Sequence, residues 1–159
     1  MNAQPTSGFG SNRRQAARLA AVQAIFQWQE GEHAPAEIID QFLRVRRGEA
    51  GEGGMRRDAD QPLFKDVVQG AVAHKDELEQ TLTGALAEDW TWERVDRLVR
   101  AILLAGAYEL IHRKDVPTRV AINEYVEIAH AFYDQGEQNF VNSVLDRIAR
   151  QSRSPEFAR

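Results

Sequence analysis

Residues 95–111, VDRLVRAILLAGAYELI, decide the fold. Apolar side chains fall on nearly every side of this segment's helical wheel: Leu98, Val99, Ile102, Leu103, Leu104, Leu110 and Ile111. A helix without a polar face has to be enclosed by other helices, so this one belongs at the centre of a bundle. Gly106 lies within it at a propensity cost of about 1 kcal/mol, which close contact with a neighbouring helix offsets. The spacing predicts Thr91 as N-cap, with Glu93–Arg97 and Asp96–Arg100 as i,i+4 ion pairs along the outer turns.

Working outward towards the C-terminus, Pro117 is placed to be the first residue of the next helix. Ala121, Ile122, Tyr125, Ile128, Ala129 and Phe132 give that helix a broad apolar face. Asp134 and Glu137 have capping-box spacing ahead of a last helix, whose core stripe is Phe140, Val141, Val144, Leu145 and Ile148. Residues 154–159 read as a tail. Towards the N-terminus, Leu78, Leu82 and Leu86 continue a helical pattern that Pro62 opens through Leu63, Phe64, Val67, Val68, Ala71 and Val72, with a bend near His74. Pro35 starts a shorter helix carrying Ile38, Ile39, Phe42 and Leu43. Asn12 caps a helix that runs to about Gln29 and stops before Gly31. On that helix Leu19, Val22 and Phe26 share a face, Arg14 and Arg18 share a flank outside it, and Ile25 and Trp28 point away from it. Either the protein itself covers the helix on a second side, the favoured reading, or Trp28 meets a partner.

No alternating strand pattern occurs, and the reading is an all-α compact bundle of six to seven helices. The helical domain spans residues 12–153, after a flexible tail at 1–11 rich in Gly, Ser, Pro and Thr. Residues 48–60, GEAGEGGMRRDAD, read as a mobile loop without essential contacts. Arg46, Arg47, Arg56 and Arg57 around it count as solvated loop charges, because acids are interleaved with them.

Charge points to a function. The first 29 residues contain Arg13, Arg14 and Arg18 and no acid, while the whole chain carries a formal charge of −4. Such asymmetry brings one end of the molecule to an anion. Arginine forks and free N–H groups at a helix start suit phosphate, so the leading reading is RNA binding through Arg13, Arg14 and Arg18. The opposing reading is a protein-binding scaffold on which these arginines are only a solvated face. Catalysis is not indicated. Cysteine is absent, which excludes disulfides and thiolate metal sites and fits a reducing cytoplasm. The glycine-rich loop lacks the ending of a phosphate-binding loop. His33, His74, His112 and His130 lie in separate elements without metal-ligand spacing, so no metal and no cofactor are expected. No apolar run reaches membrane-spanning length, and the expectation is a cytoplasmic protein that binds no membrane.

Four segments carry a family likeness. RRQAARLAAVQAIFQWQ near the N-terminus, AILLAGAYEL in the central helix, and DVPTRVAINEYVEIAHAF followed by NFVNSVLDRI resemble the NusB family of bacterial transcription factors. The likeness runs in order over most of residues 13–150 and weakens across 30–60. It implies a bundle of two packed helical halves that binds boxA RNA with NusE, the ribosomal small-subunit protein. The complex helps RNA polymerase read through terminators, notably on ribosomal RNA operons, without cofactor or catalysis. It also implies RNA contacts at Arg13, Arg14 and Arg18 and at Gln138, Asn139 and Phe140, where the residues themselves leave Phe140 open between base stacking and core. The resemblance gives NusE an aromatic at Phe26 and an acid at Glu93, on a surface separate from the RNA, although Phe26 also reads as plain core. A second acid position of the family is Val99 here, and no salt bridge can form from it. A related domain precedes the catalytic part of some RNA cytosine methyltransferases, and no such catalytic part is seen up to Arg159.

Overall fold

The structure, a computed structural model, describes residues 12–45, 55–56 and 58–157. Helices α1 (Arg13–Gln29), α2 (Pro35–Val45), α3 (Gln61–Ala73) and α4 (Lys75–Ala85) precede a 3-10 turn at Trp92–Arg94. Then come α5 (Arg97–His112), α6 (Thr118–Phe132), α7 (Glu137–Ser152) and a short α8 (Ser154–Phe157). No strand occurs among the described residues.

The central segment is where its composition puts it. Every residue from Ala101 to Leu110 is buried, Glu109 included, and α5 packs against α1, α3, α4, α6 and α7. A Cβ on Gly106 would lie 2.9 Å from the Leu145 side chain, so α7 can approach this closely only over a glycine. On α1, Ile25 is fully buried and Trp28 half-buried, because α3 and α5 cover the helix from two sides.

Helix direction decides which side chains meet. Arg18, early in α1, meets Glu109 late in α5, whereas Gln29 at the end of α1 donates to the Arg97 carbonyl at 3.1 Å. The two helices are therefore antiparallel. In contrast α7 runs parallel to α5: Phe140 borders a groove shared with Val95 and Val99. Past its far end, the buried Arg153 guanidinium donates to the carbonyls of Glu109, Leu110, Arg113 and Val116. Those carbonyls lie at the C-terminal end of α5 and in the turn after it, where helical N–H partners run out. The Glu109 carbonyl also accepts from the Arg113 N–H and that of Arg113 from the Val116 N–H, each at 3.0 Å.

Several boundaries differ from the sequence expectation. The central helix starts at Arg97 rather than near Thr91, because the Asp96 carboxylate accepts from the N–H groups of Leu98 (3.1 Å) and Val99 (3.3 Å). With that carboxylate committed to the cap and to the Tyr133 hydroxyl, no Asp96–Arg100 pair forms. Arg97 likewise turns to Glu30 across the bundle instead of to Glu93. Pro117 caps α6 rather than opening it. Gly136 caps α7 in place of Asp134, with a φ of 98° that disfavours any side chain, and Glu137 accepts from the Gln135 N–H at 3.2 Å.

Part of the expected mobile loop at residues 48–60 is built into the fold. Residues 48–54 and 57 lie outside the described residues, but Met55 and Ala59 are core, each 4% exposed. Asp60 donates its N–H to the Arg13 carbonyl at 3.0 Å, and its carboxylate caps α3 through the Leu63 N–H at 3.1 Å. Arg56 pairs with Asp58 on the surface, holding that carboxyl below its ordinary range. The glycine-rich composition hid one apolar anchor. At the chain end, residues 154–157 form α8 against α7 instead of a tail, while the expected tail at 1–11 lies outside the described residues.

Candidate nucleic-acid interface

The start of α1 is built as an anion-attracting end. Asn12 Oδ1 accepts from the Gln15 N–H at 2.7 Å, and no acid occupies the first turn. Arg13 and Arg14 are exposed. Arg13 Nε donates to the Asp58 carbonyl at 2.8 Å, and Arg14 Nε lies 3.9 Å from Asp60, a loose surface pair. Since Asp60 also caps α3, the N-termini of α1 and α3 lie side by side with both arginines at their edge. Helix N-termini carry partial positive charge, which adds to that of the guanidinium groups.

Arg18 departs from this set. It is only 2% exposed, and its fork grips Glu109 through Nε (2.8 Å) and Nη2 (2.9 Å). Glu124 approaches Nη1 at 3.6 Å, and the buried Tyr125 hydroxyl donates to Glu109. Burial disfavours the guanidinium charge, yet the Glu109 bond and nearby negative charge outweigh it, and the Arg18 pKa rises. Burial pushes Glu124 up. Burial followed by the charge of Glu109 also pushes Tyr125 far above its ordinary value. The expectation that Arg18 faces phosphate is corrected: no surface is left to it, because the core holds an acid that only a cation can satisfy.

The second expected segment lies at the other end of the bundle. Asn139 is exposed, Phe140 is half-buried, and Gln138 keeps Oε1 buried with no hydrogen-bond partner. Phe140 is tilted against Trp90 with ring centroids 5.7 Å apart. Trp90 is 39% exposed and carries the Arg94 guanidinium 4.9 Å above its ring. With Val95, Asp96, Val99 and Glu137 these side chains line a groove of about 310 Å³. Phe140 is packed against the core on one side and edges the groove on the other. The sequence reading did not single out Trp90 and Arg94. Their signal was a tryptophan in the polar linker EDWTWER, with an arginine four residues on.

Glu93 is exposed in the 3-10 turn beside this groove. Phe26 packs half-buried against the core near the end of α1. The Glu30–Arg97 pair ties that end of α1 to the start of α5. The expected partner residues therefore share an end with Gln138, Asn139 and Phe140. Arg13 and Arg14 stand a helix length away, roughly 25 Å for the 17 residues of α1. The expected separation of partner from RNA residues therefore applies to Arg13 and Arg14 and not to Gln138, Asn139 and Phe140. The histidine reading also changes: His74 and His112 stack with centroids 4.1 Å apart.

The sequence pattern of the NusB family matches residues 15–150. The chain belongs to the NusB family. Transcription antitermination protein NusB of Rhodopseudomonas palustris is 47% identical over 149 residues, covering 94% of this chain and 88% of the relative. That of Nitrobacter hamburgensis is 46% identical, covering 94% and 93%. Such NusB proteins are transcription factors, not enzymes. Among solved structures, T. maritima NusB superimposes with a TM-score of 0.74 at 25% identity, over 92% of this chain and 97% of that one. NusB from a complex of antitermination factors NusB and NusE with dsRNA shares the fold, with a TM-score of 0.71 at 21% identity over 86% and 96%. The NusB match starts at Gln15, so Arg13 and Arg14 stand just ahead of it, whereas Arg18, Glu109, Tyr125 and Phe140 lie within it. No helix among the described residues is long and apolar enough to cross a membrane.

Proposed function

We propose that this NusB-family chain is an RNA-binding transcription antitermination factor of the cytoplasm. It binds boxA-type RNA together with NusE and joins the RNA polymerase antitermination complex. There it supports read-through, notably on ribosomal RNA operons, with no cofactor. The observation that carries the RNA reading is the exposed Arg13–Arg14 pair at the adjoining N-termini of α1 and α3. Arginine forks bind phosphate in two-pronged fashion, and two helix starts strengthen the field there.

At the opposite end Phe140 and Trp90 offer ring surface to unstacked bases, and Asn139 offers its amide to base edges, while Gln138, whose Oε1 is buried, has only its Nε2 to donate. A single strand lying along the bundle reaches both sets, with phosphates fixed at one end and bases read at the other. NusE then approaches Glu93 and the α1 end carrying Phe26, next to the base-reading groove, and tightens the RNA through effective concentration.

Gel-shift titration with a boxA RNA and a scrambled RNA of equal length, each with and without NusE, tests this reading. Selective binding of boxA that strengthens with NusE is the expected result. Equal affinity for both RNAs, or none for either, makes the chain a helical interaction scaffold.

A further inference from the structure

Two of the four histidines converge although 38 residues separate them. His74 is the joint between α3 and α4, and His112 is the last residue of α5. Glu77, in the first turn of α4, reaches both rings: one carboxylate oxygen is 2.9 Å from His112 Nε2 and the other 3.6 Å from His74 Nδ1. One donor atom from each residue lies within 4.8 Å of the other two. We propose that His74, Glu77 and His112 form a site for a divalent transition metal of the zinc class, which fastens the α3–α4 corner to the C-terminal end of α5.

The donor chemistry selects the metal. Two imidazoles and one carboxylate suit Zn²⁺, Co²⁺ or Ni²⁺ rather than Mg²⁺ or Ca²⁺, which prefer oxygen donors throughout. A tetrahedral ion with bonds of about 2.0–2.1 Å needs donors roughly 3.3 Å apart. No gap therefore closes by more than about 1.5 Å, and His74 turns its ring out of the stack so that both nitrogens aim at one point. Rotation of these partly exposed side chains supplies that movement, with side-chain exposures of 41% for His74, 50% for Glu77 and 27% for His112.

The wall behind the site is rigid. Tyr108 stacks on His112 at 5.4 Å and on His74 at 6.2 Å. Its hydroxyl donates to Asp66 at 2.9 Å, and Arg113 donates to the other oxygen of the same carboxylate at 2.9 Å. A Cβ on Gly70 would lie 2.1 Å from the Tyr108 ring, so α3 leaves its space to that ring. A concavity of about 270 Å³ opens beside His74 and Glu77. It gives the fourth coordination position room for water or for the exposed Asp76 carboxylate. Lys75, the cation of α4, is bonded to Glu79 at 3.0 Å and lies more loosely, at 3.8 Å, from Asp76, a contact that Asp76 would give up on ligating the ion.

The test uses the full-length chain without a histidine tag. Zn²⁺ is titrated in competition with a chromophoric chelator, and Co²⁺ is added as a visible-absorption probe. One equivalent bound, a Co²⁺ band of tetrahedral intensity and no competition from Mg²⁺ are the expected results. His74→Ala and His112→Ala each weaken Zn²⁺ binding at least tenfold, and His33→Ala and His130→Ala leave it unchanged. Zn²⁺ raises the thermal midpoint of the parent protein and not that of His112→Ala. Circular dichroism checks that both site variants fold, and His74→Gln or His112→Gln replaces the alanine variant at its own position if that one does not. Affinity that survives loss of both site histidines, or no stoichiometric binding to the parent protein, overturns the proposal.

Discussion

Arg14 and Arg18 are the same residue type, one turn apart on one helix, and their surroundings have nothing in common. The Arg14 side chain is 71% exposed and its nearest acid, Asp60, lies at 3.9 Å. The Arg18 side chain is 2% exposed and holds a fully buried carboxylate with a two-pronged grip. A helical wheel sorts side chains by polarity and puts both arginines outside. What separates them is Glu109, 91 residues away, which α5 carries into the core and which cannot stay charged there alone. A cation's place on a helix is thus set by what the opposite helix brings to meet it.

The largest effect that tests this contrast is on stability. Arg18→Met leaves Glu109 without its cation and is expected to cost about 3–5 kcal/mol, read from the denaturant midpoint. Arg14→Met in the same assay stays within about 0.5 kcal/mol. Similar losses from the two would erase the contrast. Next in size, Trp90→Ala removes a stacking platform and is expected to weaken boxA RNA by about 1–3 kcal/mol, roughly 5- to 150-fold, under conditions where the denaturant midpoint shows the variant still folded. Unaltered RNA affinity would confine the interface to the arginine end.

A smaller change belongs to the double variant Arg13→Ala, Arg14→Ala. For a single-stranded RNA the slope of log affinity against log salt should flatten by about 1.4, two phosphate contacts having been lost. An unchanged slope would show that the exposed pair touches no phosphate, and Arg14 would then be a mere solvated charge. The smallest effect lies at high pH. Burial, followed by the bond to Asp66, pushes Tyr108 up to about 12 from an ordinary 10.0. The folded state therefore retains a proton that the unfolded chain releases, and this contribution is present below pH 10 and lost between pH 10 and about 12. Tyr108→Phe is expected to show a shallower fall in denaturant midpoint across that window than the parent. Identical slopes would mean that other groups govern alkaline unfolding.

Much of the fold was legible because the signals were local. The all-round apolar pattern of residues 95–111 announced a central helix, and Asn12, Gly31, Pro35 and Pro62 marked their boundaries within a residue or two. The misplaced boundaries had competing caps within a few residues: Asp96 displaced Thr91, and Gly136 displaced Asp134. The site was legible in part. Arg13 and Arg14 follow from charge asymmetry alone, and Asn139 and Phe140 from the resemblance. The Trp90–Arg94 pair had a local signal in its four-residue spacing, but the burial of Arg18 and the meeting of His74 with His112 depend on which helices pack together and in which direction, and no local spacing encodes that.

The grip of Arg18 on Glu109 also acts as a mechanical key. Packed helices with smooth, alanine-rich contact faces, such as Ala16, Ala17, Ala20, Ala21 and Ala24 on α1, have little to stop them sliding past one another. A slip of one turn, about 5.4 Å, would bring the guanidinium level with Ala105 and abandon the carboxylate in the dark. The ion pair thereby fixes both the height and the rotation of α1. It sets the phase at which Arg13 and Arg14 emerge, so a residue that never meets solvent times the presentation of the two that do.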